Sequence, residues 1–170
     1  TREVVKMCHA VGVSVEAELG AVGGDEGGAL YGHADEAWFT DPAKARDFVD
    51  RTGIDTLAVA IGNAHGKYKG EPKLDFARLE AIRQQTGLPL VLHGGSGISD
   101  ADFRRAIGLG IHKINFYTGM SQAALDTIEA RMANRQPLYD EFAQLLLSVE
   151  EAITDTVAGQ MRVFGSAGQL

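Results

Sequence analysis

Four short runs rich in Val, Ile and Leu, at residues 13–19, 56–61, 90–93 and 113–117, are separated by segments whose apolar residues recur at helical spacing. Runs this short and this apolar read as strands buried on both faces, the habit of parallel sheets. The segments between them carry helix signals. Asp41 and Pro42 open one as N-cap and first helical residue, Phe48 and Val49 supply its apolar face, and Gly53 closes it. Asp75 opens the next, with Phe76, Leu79 and Ile82 on one face until Gly87 and Pro89 end it. Ser99 with Asp102 forms a capping box ahead of Phe103, Ala106 and Ile107.

Residues 1–10 read as the tail of a helix feeding the first strand. Two further helices are expected at 120–132 and 139–164. Strand and helix alternate, so the class is α/β with right-handed crossovers. Four strands do not close a barrel, and a (β/α)8 TIM barrel takes about 250 residues. The 170 residues therefore make one domain that is either the later part of such a barrel or a small open sheet. Residues 23–38, rich in glycine and mixed polar side chains, read as a mobile loop.

Glycine supplies 21 of 170 residues, well above an average near 7%. The glycines stand at the ends of the apolar runs, where a backbone must come close to something. A net charge of -7 leaves no basic face for nucleic acid or for an anionic membrane surface. A phosphorylated substrate needs only local countercharge. Cys8 is the single cysteine, which excludes a disulfide framework and a thiolate zinc cluster and fits the cytosol. No apolar run reaches the roughly 18 residues of a membrane span, and the N-terminus has no signal-peptide core.

Functional groups in parallel α/β folds belong at the C-terminal ends of strands. His65 follows the second strand in GNAHG (residues 62–66), and His93 ends the third in LHGGSG (residues 92–97). Either histidine alone is more often a satisfied polar group than a ligand. Two at successive strand ends beside glycines favour a shared metal ion. Ser96 and the N–H groups around Gly94 and Gly95 precede a helix and suit a phosphate, although glycine turns and a serine cap would give the same pattern. Glu16 and Glu18 are two apart, so two carboxylates share one face of an otherwise apolar strand. A metal at the strand end would explain them, as would exposure on an edge strand. Asp25 and Glu26 lie in the glycine-rich loop, where a closing acid or base would sit.

Four ordered segments, VEAELGAVGGDEG (15–27), LAVAIGNAHGKYKGEPKLDF (57–76), PLVLHGGSGISDADF (89–103) and KINFYTGMSQAA (113–124), together resemble the class II fructose- and tagatose-bisphosphate aldolases over essentially the whole chain. The resemblance implies a TIM barrel represented by its later strands, with zinc as cofactor and a monovalent cation as a further candidate. It implies His65 and His93 as zinc ligands and Glu18 as an alternate or outer metal position. Gly66, Gly94, Gly95, Ser96, Asn115, Phe116, Tyr117 and Thr118 match positions that hold dihydroxyacetone phosphate. Lys69 is a candidate for the other phosphate and Glu26 for a proton-moving acid. Phe116 and Tyr117 are bulkier than the residues usual at their positions.

The implied reaction is cleavage of a ketose 1,6-bisphosphate to dihydroxyacetone phosphate and an aldehyde through a zinc-stabilised enediolate, by a cytoplasmic homodimer or homotetramer. The family's third zinc histidine and main proton donor form an Asp-His pair, and no such pair occurs in this sequence. Turnover by this chain alone is therefore not expected. His9 and His112 read as helix or loop residues and His33 as part of the mobile loop. Two other readings stay open: a non-catalytic aldolase-like subunit that binds sugar phosphate, and a metal-independent sugar-phosphate isomerase or epimerase on the same fold.

Overall fold

A computed structural model describes residues 1–24, 36–66, 72–135 and 141–169. Four strands, β1 (Glu16–Leu19), β3 (Thr56–Val59), β5 (Leu90–Leu92) and β6 (Ile111–Ile114), form a parallel sheet in that order. A second sheet pairs two-residue strands, β2 (Gly23–Gly24) and β4 (Ala64–His65), also in parallel. The main strands are one to three residues shorter than the apolar runs that announce them. In the last three runs the backbone leaves the ladder before the run ends, whereas β1 reaches the end of its run at Leu19 and is shorter at its start.

The helices begin and end where the capping residues say they should. α1 (Arg2–His9) precedes β1. α2 (Pro42–Thr52) starts at Asp41, whose carboxylate accepts from the Lys44 N–H at 3.0 Å, and ends at Gly53 in the left-handed region. α3 (Phe76–Thr86) starts at Asp75, which accepts from the Arg78 N–H at 2.9 Å, and ends at Gly87. α4 (Asp100–Gly108) starts at Ser99, whose hydroxyl accepts from the Asp102 N–H at 3.1 Å and donates to the Asp102 carboxylate at 2.9 Å. α5 (Thr118–Ala133) and α6 (Phe142–Phe164) complete the chain. His9 ends α1, as expected of a helix residue, whereas His112 lies within β6 and not in a helix or loop. His33 lies outside the described residues.

Strands that neighbour each other in chain order, joined by right-handed crossovers, place every connecting helix on the same face of the sheet. That face holds the core. Leu57, Leu90 and Ile111 lie in register across it, and Ala45, Leu79, Ile82, Phe103 and Ala106 of the helices are buried with them. Each fully buried Leu or Ile contributes about 1.5–3 kcal/mol relative to exposure.

The chain divides into two compact units, Thr1–Asn115 and Phe116–Leu170. The first contains both sheets and α1 to α4. The second is the helical pair α5 and α6, neither of which contains a buried residue. No helix among the described residues is long and apolar enough to cross a membrane.

Candidate functional site

The loops that leave the C-terminal ends of β1, β3 and β5 are held by two buried polar side chains. Thr40 is 1% exposed; its hydroxyl donates to the Leu19 carbonyl at 2.5 Å and accepts from the Ala60 N–H at 2.8 Å. This ties the end of β1 to the end of β3. Asn63, also 1% exposed, accepts from the Ile61 N–H at 2.8 Å and donates to the His93 carbonyl at 3.0 Å. It thereby joins the loop that carries His65 to the end of the strand that carries His93. A buried amide whose donor and acceptor are both used can be placed only one way, so Asn63 fixes the spacing of the two segments. Gly94 completes the clamp. Its φ is +65°, and a Cβ there would overlap the Ala64 carbonyl, so only glycine lets the His93 loop approach the His65 loop this closely.

The two histidines meet across this clamp, with ring centroids 6.1 Å apart and planes tilted by 47°. Both are half-buried. Carboxylates flank His93 on both sides: Glu18 lies 2.6 Å from Nδ1 and Glu16 lies 3.2 Å from Nε2. The second Glu16 oxygen accepts from the Lys113 ammonium at 2.8 Å. Burial pushes the Glu16 carboxyl up, but the hydrogen bonds from Lys113 and His93 outweigh it and hold Glu16 below the usual carboxylate range. The expectation that Glu16 and Glu18 share a face holds. They stand on an edge strand of the sheet, and both also contact the histidine that follows β5.

Two imidazoles with an adjoining carboxylate are a donor set that zinc accepts. Among the described residues, no group of three or more His, Cys, Asp or Glu side chains is arranged to hold an ion. What the described residues bring together is two imidazole rings, with Glu18 beside the His93 ring, short of the three protein ligands that a catalytic zinc takes.

The segment expected to cradle phosphate, Gly94 to Ser96, precedes α4 as the sequence reading has it. The cap of that helix is Ser99, as the capping box predicts, three positions beyond Ser96. The Gly95 N–H donates to the Asn115 carbonyl at 3.4 Å, and the Asn115 N–H donates to the Leu92 carbonyl at 3.0 Å. Asn115 is thus seated beside Gly95 by its own backbone. The last strand ends at Ile114, not at residue 117, so Asn115 begins the loop. Phe116, Tyr117 and Thr118 belong to the second unit. There the Phe116 ring packs against Gly119, where a Cβ would come within 2.5 Å of it; Tyr117 is 67% exposed, and Thr118 is the first residue of α5. Gly66 follows β4 with φ at +79°. Glu26 and Lys69 lie outside the described residues.

Sequence reasoning left Thr40, Asn63 and Lys113 out of the site. Asn63 was open to detection, since it is the one polar residue inside the apolar stretch from Ala58 to Ala64.

The family described as fructose-bisphosphate aldolase class-II matches residues 1–169. The Geobacillus stearothermophilus fructose-bisphosphate aldolase is 47% identical over 169 residues, which are 99% of this chain and 58% of that protein. A Bacillus subtilis protein named as a probable fructose-bisphosphate aldolase is 46% identical with the same coverage. The crystal structure of the YdjI aldolase from Escherichia coli K12 superposes with a TM-score of 0.81 at 40% identity, covering 99% of this chain and 55% of that one. The chain thus spans a little over half the length of the curated relatives it matches.

Proposed function

Because the chain belongs to the class II fructose-bisphosphate aldolase family and shares its TIM-barrel fold as a C-terminal portion, we propose that it supplies two metal-ligating histidines and a phosphate-binding loop to the cleavage of a ketose 1,6-bisphosphate. Fructose and tagatose types are both in range, since the two differ at one stereocentre. The products are dihydroxyacetone phosphate and an aldehyde. The observation that carries this reading is the convergence of His65 and His93 at strand ends, with Glu18 bonded to His93.

In this reading His65 and His93 hold zinc, and Glu18 stands by as an alternate or outer ligand. Zinc bound there supplies the Lewis acidity that polarises a substrate carbonyl, a role worth several kcal/mol. The chain's own residues do the rest of the positioning. Asn63 and Gly94 keep the two histidine segments at fixed separation. Gly66, Gly94, Gly95, Ser96 and Asn115, continued by Phe116, Tyr117 and Thr118, are the residues we assign to the dihydroxyacetone phosphate moiety, with Lys69 assigned to the other phosphate. Glu26 is assigned to proton movement at the substrate. We further propose a monovalent cation as a second ion, a cytoplasmic setting and a homodimeric or homotetrameric assembly, all carried over from the family resemblance.

The test is release of triose phosphate from a panel of ketose 1,6-bisphosphates, with and without a chelator. Cleavage that the chelator stops and zinc restores supports the aldolase reading. Absence of release, together with retained binding of sugar phosphate, supports the non-catalytic reading of the chain instead. His65→Ala and His93→Ala should each remove zinc binding by the chain, and unchanged zinc affinity in both would sink the ligand assignment.

A further inference from the structure

His93 is contacted by two carboxylates at once, and the two are not equivalent. A carboxylate can only accept, so each nitrogen it faces must carry a hydrogen, and a neutral imidazole has only one. A metal ion takes the lone pair of one ring nitrogen, so one carboxylate has to give way while the other keeps its hydrogen bond. The structure distinguishes them by how each is anchored. Glu18 bonds, among the described residues, to His93 only. Glu16 is bound at both oxygens, by His93 at 3.2 Å and by Lys113 at 2.8 Å.

The anchor is long-range. Lys113 sits on β6 and Glu16 on β1, the two outer strands of the sheet, so their ion pair spans the two strands between, β3 and β5. Lys113 reaches the Glu16 side of the sheet because of an irregularity in the ladder. Leu90 pairs with Ile111 but Val91 pairs with Lys113, which leaves His112 as an extra residue. The bulge turns Lys113 onto the carboxylate side.

We propose that Lys113 and Glu16 form a positioning pair for His93, in which Glu16, fixed by Lys113, accepts from Nε2 and so presents Nδ1, where Glu18 now sits, to the metal ion. The proposal rests on the metal reading of His93. Neither Glu16 nor Lys113 touches the ion; they act through the orientation and tautomer of the ring.

The experiment is a Co2+ titration of the full chain followed by visible absorption. Long-range 15N–1H correlation spectra of the ring-labelled histidines in the zinc-loaded state accompany it. Glu16→Leu and Lys113→Met should each weaken cobalt affinity by about 10- to 100-fold, the range for partners that orient a metal-bound histidine. Lys113→Arg, which keeps the ion pair, should restore affinity close to wild type. In the zinc-loaded wild type, His93 should carry its hydrogen on Nε2.

Equal affinities for wild type, Glu16→Leu and Lys113→Met, with unchanged far-ultraviolet circular dichroism, would overturn the positioning role. A zinc-loaded His93 with its hydrogen on Nδ1 would overturn it as well, and that readout needs no variant to fold. Failure of the underlying metal reading has a separate signature: His93→Ala then gives the same cobalt bands and affinity as wild type.

Discussion

On the face of the sheet that meets the helices, Leu57, Leu90 and Ile111 lie in one row and are 0%, 0% and 2% exposed. On the opposite face, the next row runs Glu18, Ala58, Val91, Lys113, and His93 and Glu16 close over it. The same four strands thus serve two tasks. One face is stabilised by area removed from water, which any well-shaped apolar side chain provides. The other holds charges that a purely structural sheet has no reason to collect, since partly buried carboxylates cost free energy unless cations or donors meet them. The lesson is that stability and chemistry are separated by side-chain alternation within single strands. Neighbouring residues such as Leu92 and His93 answer to different constraints.

The comparison breaks most sharply with a pair of substitutions, one per face. Leu90→Ala should destabilise the chain by about 2–5 kcal/mol, the transfer and cavity loss of a large-to-small change in a closed core. Lys113→Met, on the other face, should change stability by less than about 1 kcal/mol, because the lysine side chain is 52% exposed and a pair of that kind is well screened. Urea unfolding of both variants gives the contrast directly. Similar losses in the two would mean that the charged face carries the fold as much as the apolar one does.

A smaller effect sharpens the boundary between the faces. Asn63→Ala leaves the buried Ile61 N–H without its partner and frees the His93 carbonyl, and should cost about 1–3 kcal/mol. It should also loosen the fixed spacing of the two histidine loops, so metal affinity should fall in the same variant. A stability loss with unchanged cobalt affinity would show that Asn63 supports the fold and not the site.

How much of this could be read from the sequence depends on the range of the interaction. The caps at Asp41, Asp75 and Ser99 were legible because each is satisfied within three residues by local backbone geometry. The shared face of Glu16 and Glu18 was legible from the two-residue period of a strand. Lys113 was not, since regular alternation from the inward-facing Ile111 would place it among the helices, and only the bulge at His112 turns it away. Thr40 was hidden for another reason. Its partners are backbone groups 21 residues before it and 20 after it, and no spacing rule relates them.

The smallest effect concerns acid. Glu16 is held below the usual carboxylate range: burial alone would raise it, and the Lys113 and His93 hydrogen bonds more than reverse that. A carboxyl depressed in the folded state stabilises the fold above the pKa it has in the unfolded chain, and that contribution is lost as pH falls through the folded value. The metal-free chain should therefore lose stability on acidification below the ordinary carboxylate range, and Glu16→Gln should flatten that limb of the curve. Asp55 is a background that must be separated, because the His9 hydrogen bond, then the Val15 N–H, depresses it in the same direction. Asp55→Asn should flatten the same limb without changing cobalt affinity, whereas a Glu16 substitution should change both. If Glu16→Gln leaves the acid limb intact, the charged face does not stabilise the metal-free chain through Glu16, and that residue's contact with His93 matters only to ring orientation.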